Sequence, residues 1–104
     1  MSSREVLGSP ATQGQDERIA YSIDFAAWGV TSPTGIVFAA YDKTLDYLDV
    51  TATVLAATTG SVAGSVVTLP LLVALVAGHE YRVECKVVGG GQTVEAYLRV
   101  IAER

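Results

Sequence analysis

Between Glu80 and Val100 two stretches alternate between apolar and polar side chains, and three glycines, Gly89, Gly90 and Gly91, separate them. In the first, Tyr81, Val83, Cys85 and Val87 fall on one side and Arg82, Glu84 and Lys86 on the other. In the second, Val94, Ala96, Leu98 and Val100 alternate with Thr93, Glu95, Tyr97 and Arg99. A period of two is that of a strand with one buried face, whereas a helix would spread the same apolar residues around its circumference. The two stretches therefore predict an antiparallel hairpin closed on glycines that tolerate a tight turn. Such a hairpin has a long apolar face, and the chain must supply a second layer to cover it.

The upstream segments read as that layer. Ile19, Tyr21, Ile23 and Phe25 alternate with Ala20, Ser22 and Asp24, predicting a strand from Arg18. Ala26 to Gly29 breaks it, and Thr31-Ser-Pro-Thr-Gly35 makes a turn. Gly35 to Asp42 predicts a strand apolar on both faces, and so a central one. Val50 to Ala56 is also expected as a strand. Ser65 to Leu69 and Leu71 to Leu75 are expected as strands around Pro70, which marks a bulge, a sheet edge or a strand end. Residues 1–17 hold the short apolar pair Val6-Leu7 and then a polar series, so they are expected to form a flexible amino-terminal arm and linker ahead of a domain at 18–104. With 15 Val and 10 Thr, whose branched Cβ suits a pleated sheet, the expected class is all-β, an antiparallel sandwich of about seven strands.

Charge and composition exclude several functions. Seven basic against eleven acidic residues give a net charge of -4, the wrong sign for gripping phosphates, so no nucleic-acid partner is expected. The run from Val50 to Gly78 carries no formal charge, but its apolar part contains Thr68 and Pro70 and is too short for a membrane span, so no membrane partner is expected either. No apolar segment follows the start where a secretory signal would place one, which points to synthesis in a cytoplasm.

Catalytic and metal chemistry finds little to work with. His79, the single histidine, stands in the turn before Tyr81 and is expected to be a solvated turn residue rather than a general base. Cys85, the single cysteine, falls on the inward phase of its strand, where a thiol behaves as a small hydrophobe. Asp42, Asp46 and Asp49 have a spacing of four then three but no glycine between them, so a short solvated helix is preferred to a calcium loop. Gly89-Gly-Gly91 lacks the Lys and Ser/Thr of a phosphate loop. No catalytic residue, cofactor or metal site is expected, and the chain reads as a non-enzyme.

Leu75, Gly78 and Tyr81 have the spacing of a tyrosine corner, in which the phenol bonds back to the loop before its strand while glycine relaxes the turn. Several immunoglobulin-like families share that spacing. Trp28 is expected to plug the core, with a half-exposed anchor as the alternative.

A wider pattern joins Arg18-Ile-Ala-Tyr21-Ser-Ile23-Asp24-Phe25-Ala-Ala-Trp28-Gly29 to Gly78-His-Glu-Tyr81-Arg-Val-Glu-Cys-Lys-Val87 and to the ending Ala96-Tyr-Leu-Arg-Val-Ile-Ala-Glu103-Arg104. Over residues 18–104 the chain resembles a family of small virion proteins of tailed bacteriophages, fibre-tail adaptors or minor structural proteins with an immunoglobulin-like fold. The resemblance implies a structural component made in the host cytoplasm and carried in the virion. Its partners would be tail, neck, fibre or major capsid proteins, with self-association into a homo-oligomer. Val6, Leu7, Trp28, Tyr41, Tyr47 and Tyr97 are the interface candidates, chosen as apolar or amphipathic anchors. A capsid decoration protein is the alternative within that class. A stand-alone adhesive or carbohydrate-binding module is the alternative outside it, weakened because no aromatic pair stands at strand spacing to form a sugar platform.

Overall fold

The computed structural model describes residues 4–6 and 9–104. The chain forms an all-β sandwich of two sheets, and its framework is the hairpin of β8 (Glu80–Gly89) and β9 (Gln92–Glu103). The strands pair from Glu80↔Ile101 to Gly89↔Gln92. Gly90 and Gly91 close them with φ of 56° and 74°, the left-handed pair that a two-residue turn of this twist requires. Tyr81, Val83, Cys85, Val87, Val94, Ala96, Leu98 and Val100 are all buried, so the strand phase is as the alternation predicts.

The larger sheet adds β4 (Thr34–Asp42) beside β8 and the two-residue β5 (Leu48–Asp49) beyond it. On the far side, β1 (Arg4–Glu5) and β2 (Ala11–Gly14) both run parallel to β9. The smaller sheet is β3 (Ser22–Asp24), β7 (Val66–Thr68) and β6 (Ser61–Ala63), in that order. Ile23 and Val67 of the smaller sheet share one core with Phe25, Val30, Leu72 and the inner face of the hairpin. Each such buried side chain contributes roughly 1.5–3 kcal/mol, which offsets the entropy of ordering the strands.

Several expectations are corrected. The amino-terminal segment is no free arm: its described residues extend the larger sheet. Val6 N–H donates to the Tyr97 carbonyl, Gln15 N–H to the Glu103 carbonyl, and the Ser9 hydroxyl accepts from Arg99 N–H. Val6 packs against the core, while Leu7 lies outside the described residues. The anchor of this segment is Gln13, a polar residue with no exposed surface. Its Nε2 donates to the carbonyls of Leu72 and Glu17, and its Oε1 accepts from the Tyr21 hydroxyl. A polar sequence hides such a residue, because its burial depends on partners from three other segments.

Val50 to Ala56 is not a strand. Thr51–Val54 forms one short helical turn. The Asp49 carboxylate accepts from both the N–H and the hydroxyl of Thr51, and that hydroxyl also accepts from Ala40 N–H, so the chain turns across the end of β4 instead of extending. Asp42, Asp46 and Asp49 do not share one helix face. A 3₁₀ turn at Lys43–Leu45 follows Asp42, and Asp46 then reverses the chain in the left-handed region. Leu71 to Leu75 is irregular, held by single bridges from Leu72 to Ile19 and Leu55. β4 lies inside the sheet between β8 and β5, as expected, but β5 pairs only with Tyr41 and Asp42, and one face stays open, with Val37 54% exposed.

Candidate interaction surface

The outward phase of the larger sheet brings together residues distant in sequence. Register aligns Tyr41, Arg82 and Arg99 in one row, Ala39, Glu84 and Tyr97 in the next, and Val37, Lys86 and Glu95 in a third. Arg82 Nε lies 2.7 Å from Glu84 Oε2, and its guanidinium stands 3.8 Å from the centre of the Tyr97 ring, a cation–π contact. The face continues into an ion-pair chain in which Lys43 meets Glu80 at 2.9 Å and Arg99 meets Glu5 at 2.7 Å and Glu80 at 3.7 Å. The Arg99 guanidinium and the Ser9 hydroxyl hold the Glu5 carboxyl below its usual pKa.

Tyr47 reaches this face from the loop between β4 and β5. Asp46 and Tyr47 take φ of 54° and 59° in succession, a conformation costly for residues that carry a Cβ. The loop is pinned at its start, where the Asp42 carboxylate accepts from Thr44 N–H, and at its end, where Leu48 pairs with Asp42. Tyr41, Tyr47, Arg82 and Glu84 line an open recess of about 320 Å³. A second recess of about 170 Å³ continues from Tyr41 and Glu84 past Ala39 to Lys86 and Glu95. The small Ala39 leaves the depression between them. Burial, and then the Glu84 and Asp49 carboxylates, push the Tyr41 phenol above its ordinary pKa, so it stays a neutral hydrogen-bonding group.

The adjoining end of the molecule is tied together by Tyr81 and Asp42. The Tyr81 hydroxyl accepts from Val76 N–H at 2.8 Å, five residues upstream, with Leu75 buried beneath and Gly78 at φ 88° in the turn. Burial raises the Tyr81 pKa, and the Val76 bond opposes that rise. His79 is not a solvated turn residue, because register places Asp42 opposite Tyr81. His79 Nδ1 lies 2.7 Å from Asp42 Oδ2, whose side chain is only 3% exposed. The Thr44 hydroxyl accepts from Glu80 N–H, completing the link between this loop and β8. At the same end Leu45, Leu48 and Val76 are each about half exposed.

Of the interface candidates, Tyr41, Tyr47 and Tyr97 thus meet around Arg82. Trp28 lies elsewhere, half-buried at the rim of the core, with its ring edge-on to Phe25 at 5.5 Å, so it does not plug the core and its exposure is that of the half-exposed alternative. Leu45, Leu48, Val76, Arg82 and Glu84 were not singled out from sequence. The outward phase of Arg82 and Glu84 was readable from the alternation, but their neighbours across β4 and β9 were not. Cys85 is fully buried, and desolvation pushes its thiol up to about 12, which keeps it from acting as a nucleophile at neutral pH. Among the described residues no group of three His, Cys, Asp or Glu side chains is placed to hold a metal ion, and no helix is long and apolar enough to cross a membrane. Compared with protein-family models, with curated proteins and with solved structures, the chain matches none.

Proposed function

We propose that the chain is a non-enzymatic structural component of a tailed-phage virion, joining tail, neck or fibre parts through an immunoglobulin-like domain. The observation that carries this reading is that Leu45 in the 3₁₀ turn, Leu48 on β5 and Val76 before β8, three large apolar side chains, are each about half exposed on segments that Asp42, His79, Thr44 and Tyr81 tie together. Exposed apolar groups on ordered segments fit docking against a partner, since a fixed surface loses little entropy on binding. The parallel pairing of the amino-terminal segment with the last strand and the back-bonded Tyr81 support the immunoglobulin-like assignment. The resemblance of residues 18–104 to small phage virion proteins supports the assembly.

The protein is made in the host cytoplasm and carried in the particle, where it meets other virion proteins and further copies of itself. Quantitative mass spectrometry of purified particles tests this. The protein is expected at a fixed copy number, and a Leu48→Asp/Val76→Asp variant that keeps its melting temperature is expected to be excluded. Absence of the wild-type chain from particles overturns the reading. A copy number set by the capsid lattice rather than by a tail ring would replace an adaptor with a decoration protein.

A further inference from the structure

We infer that the open edge of β4 at residues 35–39 is a dimer interface, on which the same edge of a second copy of this chain adds as an antiparallel strand across a two-fold axis beside Val37. This deepens one part of the reading above, the contact between copies, by naming its surface, and it does not depend on residence in a virion. The main chain carries it. Ala40 N–H donates to the Thr51 hydroxyl and the Ala40 carbonyl accepts from Val50 N–H, so the backbone of Ala40 faces away from β8. Backbone groups alternate along a strand, and β4 pairs with β8 without a shift from Val37 to Asp42, so the N–H and carbonyl of Phe38 face the same way. The pairing of β5 stops at Tyr41, and among the described residues nothing bonds to the outward groups of Phe38.

Both flanks of this edge are apolar. On the outward face Val37 is 54% exposed, and Val88, 42% exposed, lies over Gly35. On the inner face Ile36 and Phe38 are half-buried, and with Val67 and the backbone turn at Thr58 to Gly60 they line a cleft of about 210 Å³. A strand set against the edge therefore meets hydrogen-bonding groups in its own plane and apolar side chains above and below.

The same features select the occupant, an extended segment without charge and apolar on both faces. From Phe25 to Tyr41, and again from Val50 to Gly78, the sequence has no Asp, Glu, Lys or Arg, so both walls of the cleft are neutral. Among the described strands β4 itself meets the requirement. β8 and β9 carry charges on their outward faces, β7 is paired on both sides, and β6 is neutral but only three residues long. Sheet edges avoid pairing with their own copies by lysines, prolines or inward charges, and residues 34–41 hold none of these. The register shift between Thr34 and Val37 bounds the open stretch at one end and the Val50 bond to Ala40 at the other, which leaves roughly 17 Å of strand. A two-fold axis at Val37 uses this stretch fully: Ile36 stands opposite the second copy's Phe38, and the two Val37 side chains pack on each other. Lys86 and Glu95, the charges in the Val37 row, lie one and two strands behind the edge, and Asp49 lies beside Tyr41, beyond the overlap. The two copies of Lys86 are thus three strand spacings apart, roughly 14 Å, where salt screens them.

The test is sedimentation equilibrium of the full chain from about 5 µM to about 1 mM, with amide hydrogen exchange followed by NMR at both ends of that range. So short an interface is expected to give a reversible dimer with a Kd of about 10–200 µM. The Phe38 amide, open in the single copy, should exchange at least about threefold more slowly at the high concentration, while the amides of β6 keep their rates. Val37→Lys, at an exposed position, sets two lysines opposite each other and should weaken the dimer at least about tenfold, with the melting temperature in dilute solution unchanged. Val62→Lys, on the exposed β6, should leave the dimer as it is. A chain that stays monomeric across the range, a dimer indifferent to Val37→Lys, a dimer weakened equally by Val62→Lys, a dimer that leaves the Phe38 amide unprotected, or growth beyond two copies overturns the inference. Because the readout is the isolated chain, failure of the dimer leaves presence in the virion standing, and absence from the virion leaves the dimer standing.

Discussion

Tyr81 is 1% exposed, and its hydroxyl is the partner of Val76 N–H, so the two halves of this side chain act separately. Phenylalanine keeps the buried ring and deletes only the acceptor. Tyr81→Phe is expected to cost about 1–2 kcal/mol in urea denaturation, the range for losing one hydrogen bond whose partner can recover part of its hydration. An unchanged midpoint would mean that the corner bond contributes nothing. Cys85 makes a pH-dependent prediction. Its thiol rises from about 9 to about 12 on folding because burial penalises the thiolate. A raised pKa contributes stability that is fully present below pH 9 and lost as the pH climbs toward 12, because the unfolded chain ionises first. The melting temperature of the wild type should therefore fall more steeply between pH 9 and 11 than that of Cys85→Ala. A thiol reagent at pH 8 should leave the folded chain unmodified and react once urea unfolds it.

β2 is four residues long, yet it links three parts of the molecule through Gln13. Gln13→Ala removes both donors and the acceptor from a site with no exposed surface, leaving the Leu72 carbonyl and the Tyr21 hydroxyl without their partner. About 2–3 kcal/mol of destabilisation is expected, toward the upper end for an unpaired buried polar group. A chain beginning at Gln15 should lose that and more, since β9 then presents an open edge where Val6, Ser9 and β2 had paired. Such edges template association, so light scattering should show the shortened chain aggregating while the full chain stays dispersed. Identical melting and scattering of the two chains would show that the docked segment is dispensable. The Lys43–Glu80–Arg99–Glu5 chain of ion pairs belongs to the same scale but has a different weight. Its members are partly exposed, so solvent screens them, and they orient side chains more than they hold strands together.

Among the described residues a single core joins the two sheets, and β8 stands in the larger sheet between β4 and β9. Val83 is 1% exposed there. Val83→Asp would leave an unpaired carboxylate with no partner within the core, at a cost comparable with the roughly 5–15 kcal/mol by which a domain is stable. The far-ultraviolet circular dichroism of this variant should lose its strand signal at neutral pH, and a folded product would contradict the packing of β8. The polar counterpart of that inner face lies outward, where Arg82, Glu84 and the tyrosines gather. One strand thus holds the core together with its odd-numbered residues and builds the candidate site with its even-numbered ones.

The alternation of β8 and β9 and the glycines between them determined the hairpin, its phase and its buried residues, because a period of two is a local property of the chain. The spacing of Leu75, Gly78 and Tyr81 was local in the same way. Where the outcome depended on a partner distant in sequence, local pattern misled. Val50 to Ala56 has strand composition, but Asp49 and the end of β4 turn it into a helix. The amino-terminal segment is polar, and its place in the sheet follows from the edge that β9 offers and from Gln13 reaching Leu72, 59 residues away. His79 became a partner of Asp42, and Tyr47 a neighbour of Arg82, only through the register of β4 against β8. Periodicity decides which way a side chain points; what it then meets depends on which strands pair and in what register, and that choice is made by packing the whole chain around one core.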